Sequence, residues 1–199
     1  MTPRAVLFMY IGNLEPYQGI DLLIDSMALL HVERPTDRLV IIGGADAHVA
    51  DYRKRVERLG LNDVVELRGP LPVARLPELL SEADVLVSPR IKGSNTPMKI
   101  YTYLDSGKPV VATRLFTHTQ VLTDAVAMLA EPNPMAFAAA MATLAGDPAM
   151  RDALGTRGRE LVRTTYSPDA FQRTLDSIYG YVETRIATPP PPVSEPPRT

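Results

Sequence analysis

The sequence predicts an α/β protein built on one doubly wound parallel sheet, and three observations point to it. Six short apolar runs, AVLFMYIG, RLVIIGG, VVELRG, DVLVSP, KPVVAT and AVAMLA, read as strands, most of them buried on both faces. Stretches with helical apolar spacing lie between them. Glycine or proline stands at the strand-to-helix turns, and this alternation is what a parallel sheet flanked by helices requires.

The first run, Ala5 to Gly12, leads into the turn-prone NLEPYQG and an amphipathic helix from about Ile20 to Glu33. Leu22, Leu23, Met27, Leu29 and Leu30 form the stripe expected to be buried. Arg34-Pro35-Thr36-Asp37 ends that helix, and RLVIIGG supplies the second strand. A charged helix over roughly Asp46 to Leu59 closes on Gly60. Its Arg53, Lys54, Arg55 and Arg58 interleave with Asp51 and Glu57 and read as a solvated face rather than a basic patch. VVELRG is the third strand and ARLPELLSEA a short helix.

The central stretch, Asp84 to Thr113, reads as strand, polar loop, helix, turn and strand. Ser94, Asn95 and Thr96 offer N-cap oxygens, Pro97 suits the first helical position, and the helix stops at Ser106-Gly107. After Thr113 comes a polar connection with one helical turn, then AVAMLA, and the remainder is helical. Met135, Phe137, Met141 and Leu144 form a buried pattern in the next helix, and PAMRDALGTRGRELVRTTY forms another. The last helix has Ser167 as N-cap, Pro168 at its first position, and Phe171, Leu175, Ile178, Tyr179 and Val182 as its apolar residues. The folded part is expected over residues 1–187, with a disordered, proline-rich tail over residues 188–199.

Composition excludes several classes of function. The 199 residues carry a formal net charge of -2 with no run of basic residues, which gives no electrostatic reason to expect nucleic acid as a partner. Cysteine is absent and the three histidines are scattered, so no metal site is expected. No leader-like segment is read, and no apolar run approaches the ~20 residues of a membrane span. The cytoplasm is the expected compartment, with attachment at the membrane surface as an alternative.

In doubly wound sheets ligands sit at the carboxyl ends of the strands, so the informative residues are in the loops that collect there. Gly12 and Gly19 bracket the loop before the first helix, and Gly19 would let a phosphate approach backbone amides. Arg90, Lys92 and Lys99 surround the expected helix start at Asn95 to Pro97, an arrangement that invites an anion. Lys99 sharpens this, because a cation in the first turn opposes the helix dipole unless an anion is bound nearby. No Walker lysine motif, G-x-G-x-x-G fingerprint or nucleophile elbow occurs, which argues against an NTPase, an ordinary dinucleotide dehydrogenase and a serine hydrolase. The residues alone suggest a site for a phosphorylated small molecule.

YIGNLEPYQGIDLLIDS, LVIIGGADAH, LGLNDVVELRGPLPVARLPELLSEADVLVSPR, NTPMKIYTYLDSGKPVVAT and NPMAFAAAMATLAGDPAMRDALGTRGRELV follow one another as they do in a known family. In order and spacing they resemble the C-terminal, donor-binding domain of family 4 (group 1) retaining glycosyltransferases, over about Ala5 to Ile186. The resemblance implies a Rossmann-like domain that is the C-terminal half of a GT-B fold and binds a nucleotide-diphospho-sugar, with no cofactor. It further implies an acceptor held by a separate N-terminal domain or partner chain. Carried over by position, Gly12 and the Asn95 to Pro97 segment would face the donor phosphates, and the turn of Arg68, Gly69 and Leu71 would border the base.

Four positions depart from the family pattern. Asn13 and Gln18 stand where the family has an arginine and a lysine, and Ser94 and Thr102 stand where it has glutamates. Arg90, Lys92 and Lys99 are the candidates to replace the cations, and Thr102 or Asp105 to replace the ribose acceptor. No catalytic base is assigned. The leading reading is the donor-binding half of a glycosyltransferase. A non-catalytic nucleotide-sugar-binding module or partner subunit is the alternative, and a sugar-nucleotide epimerase a third.

Overall fold

The computed structural model describes residues 4–187, and the tail expected from residue 188 lies outside them. The chain falls into two compact units, one ending at Val162 and the other beginning at Arg163. The first holds β1 (Leu7–Ile11), α1 (Ile20–Glu33), β2 (Arg38–Ile42), α2 (Asp46–Arg58), β3 (Val65–Gly69) and α3 (Leu76–Glu82). It continues with β4 (Val85–Ser88), α4 (Lys99–Asp105), β5 (Val110–Thr113), α5 (Phe116–Thr119), β6 (Met128–Ala130), α6 (Pro134–Gly146) and most of α7 (Pro148–Thr165).

All six strands form one sheet in the order β3-β2-β1-β4-β5-β6, every neighbouring pair parallel. Phe8 of β1 stands beside Leu39 of β2 on one side and Val85 of β4 on the other. The winding therefore reverses between β1 and β4, which opens a crevice at their carboxyl ends.

Side chains alternate across the sheet as the pleat demands. Phe8 and Tyr10 join Leu23, Met27, Ile41, Phe137 and Met141 in the core on the α1 and α6 side. Met9 joins Val40, Leu86, Ile100, Tyr103, Leu104 and Ala112 on the α3 and α4 side. Both faces are covered, which explains why the strands read as unbroken apolar runs.

Two residues expected in the core are outside it. Leu29 and Met135 are exposed and line a groove between the end of α1 and the start of α6. They continue the apolar spacing of their helices past the point where each still faces the sheet. The basic residues of α2 behave as a solvated face: Lys54 pairs with Asp51, Arg55 with Asp25, and Arg53 donates to the Leu67 carbonyl.

In the second unit, α8 (Pro168–Ala187) begins as expected, with the Ala170 amide donating to Ser167 Oγ at 3.1 Å. Of the apolar residues on it, Phe171, Ile178, Tyr179 and Val182 are exposed. No helix among the described residues is long and apolar enough to cross a membrane.

Candidate functional site

Two loops meet at the crevice between β1 and β4. The first, after β1, runs from Gly12 through a short 3-10 turn at Pro16–Gln18 to Gly19, which opens α1. Gly19 adopts φ 74°, and a Cβ there would lie 2.0 Å from the Pro89 carbonyl oxygen, so only glycine lets the loops approach so closely. The Ile91 amide donates to the Tyr17 carbonyl at 2.9 Å and joins them.

The second loop, after β4, has its carbonyls turned towards the protein. The Arg90 carbonyl accepts from Thr113 Oγ1 at 2.5 Å and the Lys92 carbonyl from Arg90 Nε at 2.7 Å. The Ser94 carbonyl accepts from Gln120 Nε2 at 2.9 Å, and the Asn95 carbonyl from Thr117 Oγ1 at 2.5 Å and Arg90 Nη1 at 3.2 Å. Gly93 leaves room for the Arg90 guanidinium, which a Cβ would approach to 2.5 Å. The amides of residues 92–96, by contrast, find no acceptor among the described residues. Unpaired amides on a loop beside a crevice form a concavity suited to an anion.

The helix that follows corrects an expectation. It begins at Lys99, two residues after Pro97, its N-cap is Met98, and no side chain caps it. Ser94 and Asn95 contribute backbone carbonyls to bonds from Gln120 and Thr117 instead. The donors near the crevice are therefore loop amides rather than the first turn of a helix.

Lys99 lies partly buried between the two loops. Its ammonium is 3.9 Å from the centre of the Tyr10 ring and 3.3 Å from Gln18 Oε1, and a Cβ on Gly12 would be 2.8 Å from it. No carboxylate pairs with it among the described residues. Burial, and secondarily the Arg90 charge, draw its pKa down to about 7.

The remaining predicted residues divide by position. Asn13 is exposed; its carbonyl accepts from the Tyr10 hydroxyl at 2.6 Å, and its amide nitrogen reaches the Tyr17 hydroxyl at 3.4 Å. Arg90 is buried over the Tyr17 ring and shapes the loop, Lys92 and Ser94 are exposed, Thr96 is half-buried, and Pro97 is buried. Arg68 and Gly69 lie on the edge strand β3, two strands from β1, where Arg68 pairs with Glu66 and Glu82. Leu71 packs against the core on the α4 side. Thr102 and Asp105 line a cleft of about 390 Å³ with Leu76, Pro77 and Leu80 of α3.

Sequence reasoning missed the polar network under the second loop. His118, fully buried on α5, meets Ser88 through Nε2 at 2.9 Å and the Thr113 carbonyl through Nδ1 at 2.9 Å. That carbonyl can only accept, so Nδ1 carries the proton and Nε2 accepts from Ser88 Oγ. Burial holds the imidazole neutral, with its pKa lowered to about 4. The available signal was a polar residue closing each of two apolar strands, Ser88 and Thr113.

Fold and site together define a doubly wound α/β domain with the Lys99 ammonium and a loop of unpaired amides beside the point where its winding reverses. Residues 5–147 match the family model described as "Glycosyl transferases group 1", and the chain belongs to that family. It is 30% identical over 193 residues to a D-inositol 3-phosphate glycosyltransferase of Kribbella flavida, with 92% of this chain and 45% of that protein covered. Among solved structures it resembles the C-terminal domain of a group 1 family glycosyl transferase from Francisella tularensis (TM-score 0.73, 20% identity, covering 82% of this chain and 87% of that one). It also resembles Anabaena HepE, solved in complex with UDP (TM-score 0.78, 19% identity, 88% and 49% covered). The sheet is thus that of the C-terminal half of a GT-B glycosyltransferase, and the chain spans about half the length of the curated relatives it matches.

Proposed function

We propose that this chain holds a nucleotide-diphospho-sugar in the crevice between the β1 and β4 loops. It would present the sugar for retaining transfer to an acceptor carried by an N-terminal GT-B domain or a partner chain. The observation that carries this reading is the polarity of the second loop: the carbonyls of Arg90, Lys92, Ser94 and Asn95 are bonded within the protein, while the amides of residues 92–96 have no acceptor among the described residues. Such donors would stabilise the negative charge that develops on a departing diphosphate, and they need no reorganisation as the bond breaks. UDP in the HepE complex gives the ligand class to try first. The reading uses no resident cofactor, and the cytoplasm is its expected compartment.

Calorimetric titration of the chain with UDP, GDP and ADP tests this. Saturable binding of at least one is the expected result, and no binding of any at millimolar concentration would overturn it. A second reading, a nucleotide-sugar-binding module without catalysis, is favoured by Asn13, Gln18, Ser94 and Thr102, where the family pattern has two cations and two glutamates. Donor binding with no transfer after an N-terminal half is supplied would decide for it.

A further inference from the structure

Lys99 and Gln18 make a pair that the donor reading does not by itself explain. A partly buried ammonium normally has a carboxylate close by, because desolvating an unpaired charge is costly. Among the described residues, the groups facing Lys99 are Tyr10 from β1, Gln18 from the first loop, Arg90 from the second and His118 from α5, and none is an anion near neutral pH. Burial raises the Tyr10 phenol far above the ordinary range, and His118 is neutral. Gln18 is itself buried and supplies its amide oxygen to Lys99. An amide oxygen orients an ammonium without cancelling its charge, whereas a glutamate there would neutralise it.

We propose that Lys99 is the side-chain cation for the donor diphosphate in this chain, and that Gln18 is its positioning residue, holding it over Gly12 while leaving its charge for the ligand. This rests on the donor reading above. An ammonium has three donors; Gln18 takes one, and the Tyr10 ring face covers another direction. No further acceptor for it is found among the described residues, and Gly12 beside it has no side chain to fill the space.

The assignment links binding to protons. With a pKa of about 7 in the free protein, Lys99 is largely neutral at pH 8. A diphosphate beside it favours the charged form, so binding at pH 8 takes up close to one proton. Affinity then falls about tenfold for each pH unit above 7, until the pH reaches the pKa of the bound form.

The test is calorimetry of the 199-residue chain with whichever of UDP, GDP and ADP binds tightest. It is run at pH 6.5, 7.5 and 8.5 in two buffers of different ionisation enthalpy. Wild type should show the proton uptake, and Lys99→Met should lose it and bind at least tenfold more weakly at pH 6.5. Gln18→Glu should weaken binding by placing a competing carboxylate against the ammonium. Adding Gln18→Lys to Lys99→Met should restore affinity, because the two side-chain ends are only 3.3 Å apart. That rescue would not follow from a merely structural role. Lys54→Ala, on the solvated face of α2, controls for net charge. If wild type binds but Lys99→Met binds equally well, or no proton is taken up, the assignment fails and the donor reading stands. If wild type binds no nucleotide, both fail.

Discussion

His118 shows how one side chain bears on a loop through its hydrogen-bonded neighbours. Its Nδ1–H and Nε2 tie Thr113 to Ser88, and Thr113 Oγ1 in turn fixes the Arg90 carbonyl. Because the native pKa of about 4 lies below the ordinary 6.5, the unfolded chain binds a proton that the folded one refuses in between. The contribution is complete above about pH 6.5 and is lost as pH falls through 4, on the order of 3 kcal/mol in all. Urea midpoints at pH 7 and 4.5 should therefore fall further for wild type than for His118→Gln; equal falls would contradict the argument. Gly19→Ala, with φ 74° and the Pro89 carbonyl in its way, should cost at least 2 kcal/mol, roughly, in the same assay. At this scale Gly12, Gln18 and Gly19 were legible as loop residues and Lys99 as a residue at the start of the following helix. The Ser88–Thr113–His118 network was not, since Ser88 stands 30 residues from His118 and meets it only when β4, β5 and α5 pack.

Among the elements, the second loop is held by its neighbours as well as by its own Arg90. Thr117→Val removes the bond to the Asn95 carbonyl from a fully buried hydroxyl and should cost about 1 kcal/mol by urea titration. At the opposite end of the sheet, buried Asp37 accepts from the Val6 amide and from Arg34, joining the starts of β1 and β2. Asp37→Ala strands a buried amide and a partly buried guanidinium and should cost about 3 kcal/mol. Arg68→Ala, whose pairs with Glu66 and Glu82 are solvated, should cost under about 1 kcal/mol, a contrast the same denaturation series reads directly. Helix spacing located α1 and α6 correctly yet put Leu29 and Met135 in the core. Periodicity reports which residues share a face and not how far the neighbouring surface extends. The later start of α4 has a related cause: Ser94, Asn95 and Thr96 are good caps locally, but tertiary bonds to the Ser94 and Asn95 carbonyls hold that segment as loop, and the helix starts at Lys99 without a side-chain cap.

For the whole molecule, the strand order β3-β2-β1-β4-β5-β6 places the β1 and β4 loops side by side although some seventy residues separate them, roughly half a small domain. If that crevice is the donor site, a nucleotide diphosphate at a hundred times its Kd should stabilise the chain by about 2.7 kcal/mol, seen as a rise in Tm. No stabilisation by any of UDP, GDP or ADP would count against it. The sequence by itself determined the α/β class, the six strands, the helices between them and membership of the group 1 glycosyl transferases, because apolar periodicity and motif order are properties of consecutive residues. Tertiary structure alone decided that Lys99 would lie against Gly12 and Gln18 rather than in solvent, that Arg90 would fold back into its own loop, and that the loop amides would stay free. Each depends on which groups compete for a hydrogen bond once distant strands are adjacent, and no local pattern records that competition.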